Sequence, residues 1–176
     1  MATRRGFNSV QHHDDTIIGN ILGTVPKRVK LYVLGDVGFE ENSISRLAAG
    51  IKQKHGANRF VLVPGNHDMK RAERYLLYFD EVHGPRKYRS WWISHFPIHP
   101  NELYHRKGNI HGHVHATGAT GLLEFPYFNV NVDVNNYLPV EFDWIETWFS
   151  RHKASQALGI DAIQDKFDAV LERNGS

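Results

Sequence analysis

Apolar residues along this chain fall into short runs, and the loops between them are rich in glycine, histidine, aspartate and asparagine. Three runs have the length and the β-branched or aromatic content of buried strands: Leu31-Tyr32-Val33-Leu34, Phe60-Val61-Leu62-Val63 and Trp91-Trp92-Ile93. Each leads into a polar loop, respectively Gly35-Asp36, Gly65-Asn66-His67-Asp68 and Ser94-His95. Helical spacing lies between them. Ile44, Leu47, Ala48 and Ile51 predict a helix capped by Asn42 or Ser43 and ended at His55-Gly56. Asp14-Asp15 predicts the acidic start of a short amphipathic helix over 16–22 that ends near Pro26. The stretch 69–79 reads as a helix with Tyr75, Leu76 and Phe79 on its packing face.

Beyond Gly84-Pro85, residues 88–93 predict one aromatic-rich strand covered on both faces. A loop with Pro97, Pro100 and Gly108 then leads to a short strand near Asn109-Ile110 and to Gly112-His113-Val114-His115. The alternation in Asn129-Val130-Asn131-Val132-Asp133 predicts a strand over 125–134. The tail holds a Trp-rich patch (Trp144, Ile145, Trp148, Phe149) and then a predicted helix at about 155–171. Strands alternating with helices predict an α/β fold whose strand ends meet along one edge, where such folds place their sites. No repeat, low-complexity tract or linker divides the chain, so a single domain over 1–176 is expected.

Composition narrows the function classes. A formal charge of +2 and a pI near 8.8 do not make a nucleic-acid-coating surface. Three small basic clusters (Lys27-Arg28-Lys30, Arg86-Lys87-Arg89, Arg106-Lys107) read as solvated flanks before they read as anion sites. The absence of cysteine excludes disulfides and thiolate metal sites and fits a reducing compartment. No apolar stretch reaches the roughly 20 residues of a membrane-spanning helix, and Met1-Ala2-Thr3-Arg4-Arg5-Gly6 lacks the apolar region of a signal peptide. The expected location is the cytoplasm. Twelve histidines are the compositional outlier. His67, His95, His111, His113 and His115 fall in or beside the polar loops, whereas His12, His13, His55, His83, His99, His105 and His152 have the setting of surface residues. Carboxylate, amide and imidazole donors gathered on one sheet edge suit a divalent cation, and with it hydrolytic chemistry. Gly-Asp after a strand would by itself be only a turn or a cap.

The order and spelling of the loops resemble the calcineurin-like metallophosphoesterases. Members of that family carry Asp-x-His, Gly-Asp, Gly-Asn-His-Asp/Glu, a lone His and Gly-His-x-His, each after a strand. Four of the five are present here, and the likeness runs over about 7–144. Ser94-His95-Phe96-Pro97 and Asn129 through Asp133 resemble phage and bacterial members in particular. The resemblance implies a β-sandwich of mixed sheets flanked by helices, with the first strand missing. It implies that Asp36, Asn66, His95 and His113 hold one ion, and that Asp36 and His115 serve a second. His67 is the implied general acid, with Asp68 holding one nitrogen of its ring. Two imidazoles, a carboxylate and an amide oxygen suit Mn²⁺, and also Fe, Zn²⁺ or Ni²⁺, better than Ca²⁺.

One motif is missing. No Asp-x-His occurs between Met1 and Asp36, and the strand that would present it is expected to be missing from this sequence. His12, His13, Asp14 and Asp15 offer metal-ligating side chains that could substitute for that motif, but they lie at a helix start, where capping and solvent exposure are the expected roles. One tightly bound ion, with a second weak or absent, is therefore expected. The implied substrate is a small phosphomonoester or phosphodiester, nucleotide-like, with no membrane partner and none indicated among nucleic acids. A non-catalytic metal-binding scaffold of the same fold is the alternative, against which His67 stands, since a scaffold needs no general acid.

Overall fold

Two sheets form in the computed structural model, which describes residues 5–38, 41–56, 59–68, 72–115 and 126–157. The first has the order β1 (Lys30–Val33), β2 (Arg59–Leu62), β3 (Glu81–Val82), all parallel. The second has the order β4 (Arg86–Tyr88), β5 (Trp91–Ser94), β6 (Gly108–His111), β7 (Tyr127–Asn129). Only β4 and β5 run antiparallel within it. Helices α1 (Val10–Thr24), α2 (Glu41–His55), α3 (Ala72–Tyr75) and α4 (Phe142–Ala157) flank the sheets. The chain is thus α/β with mixed sheets flanked by helices. No helix among the described residues is long and apolar enough to cross a membrane.

Two cores hold the sheets. Phe60 and Leu62 of β2 pack against Ile44, Leu47, Ala48 and Ile51 of α2 and against Tyr75 and Phe79, with Ile18, Ile21 and Leu22 of α1 at the margin. Val61 and Val63 point the other way and are as deeply buried. A strand covered on both faces reads as a continuous apolar run, which is why this segment shows no alternation. In the second core, Trp91, Ile110 and Phe128 come from three adjacent strands and meet Ile145 and Phe149 of α4. Each such side chain contributes about 1.5–3 kcal/mol of transfer free energy.

Several elements differ from the sequence expectation. Helix α1 starts at Val10, where the Ser9 side chain accepts from the backbone of His12 at 3.0 Å, so Asp14 and Asp15 lie within the helix and do not open it. Asn42 and Ser43 likewise sit inside α2. Leu76 is 61% exposed and leaves the packing face to Tyr75 and Phe79. The stretch 88–93 is no single strand: Arg89, at φ 48°, turns the chain between β4 and β5. The strand expected over 125–134 stops at Asn129, because Asn129 Oδ1 accepts from the backbone of Asn131 at 2.9 Å and Asn131 Oδ1 from that of Asp133 at 3.0 Å. Such local side-chain bonds compete with a ladder and win here. The Trp-rich patch is the packing stripe of α4, with Ile145 and Phe149 buried and Trp144 and Trp148 partly so; the expected helix at 155–171 lies mostly outside the described residues.

Four of the eight residues in the basic clusters, Lys30, Arg86, Arg89 and Lys107, are used in ion pairs. Arg89 and Lys107 reach Glu146 at 3.0 and 2.8 Å. Glu81 gathers Arg59 at 2.5 Å, His83 at 2.7 Å, Lys30 at 3.2 Å and Arg86 at 3.4 Å. The His83 hydrogen bond foremost, with Lys30 and Arg59, holds the Glu81 carboxyl at about 2, against burial, which pushes it up. A depressed carboxyl stabilises the fold above its unfolded pKa of 4.5 and loses that contribution as pH falls toward about 2. Melting temperatures recorded downward from about pH 5 should therefore fall more steeply for the natural chain than for Glu81→Gln. Parallel curves would remove Glu81 from the acid response.

Candidate metal centre

The loop after β1 turns through two left-handed residues, Gly35 at φ 80° and Asp36 at φ 51°. A Cβ on Gly35 would run into the backbone of Gly65 and into Nδ1 of His95, and one on Gly65 into the Asp36 carboxylate. Two bare backbones therefore let the Gly-Asp loop, the Gly-Asn-His-Asp loop and the His95 ring come into contact.

Asp68 stitches these loops from behind. Fully buried, its Oδ2 accepts from the backbone N–H of Asp36 at 2.5 Å and of Gly65 at 2.9 Å. Its Oδ1 accepts from Val37 N–H at 3.2 Å and from the Tyr75 hydroxyl at 2.7 Å. A carboxylate offers about four acceptor positions, and these four donors take them. The expected role of Asp68, steadying the His67 ring, gives way to positioning the loops. Asp68→Asn should cost about 2–3 kcal/mol in urea unfolding, because an amide turns a donor toward buried donors, and Tyr75→Phe about 1 kcal/mol. An Asn variant as stable as the natural chain would refute that role.

Four of the expected ligands converge. Nε2 of His95 lies 3.0 Å from Nδ1 of His113, 3.2 Å from Oδ1 of Asn66 and 3.4 Å from Oδ2 of Asp36. Ligand atoms of Asp36, His95 and His113 all fall within 4.8 Å of one another. Atoms bound at ~2.1 Å to one centre, at tetrahedral or octahedral angles, stand ~3.0–3.4 Å apart. The spacing around His95 fits that shell.

Protonation fits as well. Nδ1 of His95 lies 2.7 Å from the Leu34 carbonyl, which only accepts, so that nitrogen carries a hydrogen and Nε2 is the nitrogen turned inward to offer a lone pair to an ion. Burial, then the neighbouring His95, push the pKa of His113 down despite Asp36, a shift that favours the neutral, metal-binding form of the imidazole. Lone pairs from four loops thus face one another, an arrangement that a divalent cation satisfies.

The remaining expected residues separate. His67 is exposed at the rim, its backbone N–H donating to Asp36 Oδ1 at 3.0 Å. His113 has φ 62°, at the centre of a three-residue turn closed by Val114 N–H to Gly112 O at 2.7 Å. The turn aims His113 and His115 differently. His115 Nδ1 meets Asp133 Oδ2 at 2.6 Å and an Arg5 guanidinium nitrogen at 3.3 Å, and it is not among the side chains grouped around Asp36. His111 is a buried strand residue, its Nδ1 2.8 Å from the Gly112 carbonyl. Sequence reasoning passed over Arg5 and placed Asp133 in a strand; no local spacing links either to His115. It also passed over the Phe96 ring, 38% exposed, whose centroid lies 4.7 Å from that of His95 and 4.6 Å from that of His113.

Neither protein-family models nor curated proteins give a match to this chain. Among solved structures, it is similar to the crystal structure of the protein of unknown function AQ665 from Aquifex aeolicus, with a TM-score of 0.62 and 24% identity over 82% of this chain and 89% of that one. The two share a fold, and the likeness reaches no further than that.

Proposed function

We propose that this chain is a metal-dependent phosphoesterase of the calcineurin-like kind, acting on a small phosphomonoester or phosphodiester. The observation that carries the reading is the meeting of Asp36, Asn66, His95 and His113, from four separate loops, around His95 Nε2 at 3.0–3.4 Å. These residues would hold a divalent ion, Mn²⁺ best and Fe, Zn²⁺ or Ni²⁺ next. A divalent ion in that position supplies Lewis-acid polarisation of a phosphoryl oxygen and acidifies water.

The protein's own groups supply the rest. Asp36 holds its Oδ2 toward the centre while its Oδ1 fixes the His67 backbone, tying the candidate acid to the metal loop. His67 stands where solvent and substrate reach it, and an imidazolium can hand its proton to the departing oxygen as the P–O bond breaks. Phe96, beside both inner imidazoles, offers an aromatic face on which a base could stack, which supports a nucleotide-like substrate.

Hydrolysis of bis-(p-nitrophenyl) phosphate by metal-stripped protein tests this directly. Turnover should appear on adding Mn²⁺ and vanish in Asp36→Asn. Tight Mn²⁺ binding without turnover on this ester or on nucleotide monophosphates would make the chain a metal-binding scaffold.

A further inference from the structure

Beside the candidate metal centre lies a second set of metal-ligating side chains, and a cation of the protein itself sits among them. The Arg5 guanidinium reaches Asp133 Oδ2 at 2.9 Å and His115 Nδ1 at 3.3 Å through one nitrogen, and His13 Nε2 at 3.1 Å through the other. The three groups come from α1, from the loop after β6 and from the turn after β7.

The surroundings are built for a positive charge. Nδ1 of His13 lies 3.0 Å from Asp14 Oδ1, so its hydrogen points to the carboxylate and the lone pair on Nε2 points to Arg5. A carboxylate behind an imidazole is the arrangement that orients metal-binding histidines. Asp14 is itself held by the Ser43 hydroxyl at 2.6 Å. The side chain of Asp133 is only 10% exposed, and its buried Oδ1 has no hydrogen-bond partner among the described residues, so its compensation comes at Oδ2, from His115 Nδ1 at 2.6 Å and from Arg5, the full positive charge of the cluster, at 2.9 Å. The Tyr137 hydroxyl steadies the Arg5 carbonyl at 3.4 Å, and the Phe7 ring packs edge-on to His13 and Tyr137. One residue, Val114, separates this cluster from His113 of the metal centre.

We propose that Arg5 is a built-in cation: its guanidinium fills the pocket of His13, His115 and Asp133 and keeps a divalent ion out of it. The protein then works with one exchangeable ion and one fixed charge. An arginine suits this because it stays protonated at any physiological pH and its planar fork reaches several acceptors at once. A divalent ion entering the pocket would have to expel a side chain already paired with Asp133, whereas at the neighbouring centre of Asp36, Asn66, His95 and His113 no Lys or Arg side chain among the described residues is paired with the ligands. The inference rests on the Arg5 cluster and stands whether or not the chain hydrolyses phosphate esters.

Isothermal titration of metal-stripped protein with Mn²⁺ tests it, with circular dichroism to check folding. The natural chain should bind one ion, Arg5→Ala two, and Arg5→Ala/His115→Ala one again. Should Arg5→Ala lose its fold, Arg5→Gln, which keeps part of the packing and an amide donor without the charge, carries the same expectation. Two sites in the natural chain, one of them lost in His115→Ala, would overturn the proposal, because Arg5 would then yield to metal. An unchanged count in folded Arg5→Ala or Arg5→Gln would overturn it too, because the pocket would then be no cation site. Failure of the first centre looks different: the natural chain would bind none and Arg5→Ala one.

Discussion

His95→Ala should weaken Mn²⁺ binding by more than about 100-fold and lower metal-dependent turnover at sub-saturating metal by a similar factor. Loss of a group that merely orients a ligand costs about 10–100-fold in affinity, and His95 is the atom around which the others gather. Its Nε2 makes all three short approaches, to His113, Asn66 and Asp36, and its Nδ1 anchors the ring to Leu34. Removing Asn66 instead takes away one neutral oxygen at the exposed side, so Asn66→Ala should cost less than His95→Ala. Titration calorimetry of both variants, with melting curves to confirm folding, gives the ranking. If His95→Ala kept Mn²⁺ affinity within a few-fold of the natural chain, the convergence of these four side chains would have another purpose.

His67→Ala should reduce turnover of a substrate with a poor leaving group, such as a nucleoside phosphate, by about 10²–10⁴-fold, the usual range for a general acid. A p-nitrophenyl ester should suffer far less, since p-nitrophenolate departs without a proton. Metal affinity should hold: the His67 side chain is exposed, and the hydrogen bond from its backbone N–H to Asp36 is one that alanine retains. Equal losses on both esters would remove the acid role. A drop in Mn²⁺ affinity would move His67 among the ligands.

Much of this molecule was legible along the chain. Strands β1, β2 and β5 fall within a residue of their apolar runs; in β2 and β5 burial on both faces requires apolar residues at successive positions, while β1 is only partly buried. The loops that follow them carry Asp36, Asn66 and His95, and parallel strands joined by crossovers bring such loops to one edge. That these loops meet at one edge was therefore readable from the order of strand and loop; which residues in them face one another was implied by the family resemblance. Helix α2 was readable for a similar reason: its buried positions repeat at helical spacing within one element.

Tertiary structure decided what periodicity cannot encode. Asn129 to Asp133 alternates like a strand, yet its asparagines bond to their own backbone and end the ladder. Asp68 resembles a partner for the adjacent histidine, yet it satisfies donors contributed by Asp36, Val37, Gly65 and Tyr75. His113 and His115 are two residues apart and would share a face on a regular strand, but a positive φ at a residue other than glycine sends one to Asp36 and the other to Asp133. The meeting of Arg5 with His115 spans 110 residues. Spacing governs neighbours within a strand or helix; contacts between remote segments depend on where each loop sends the chain, and that direction is set only once the two cores have packed.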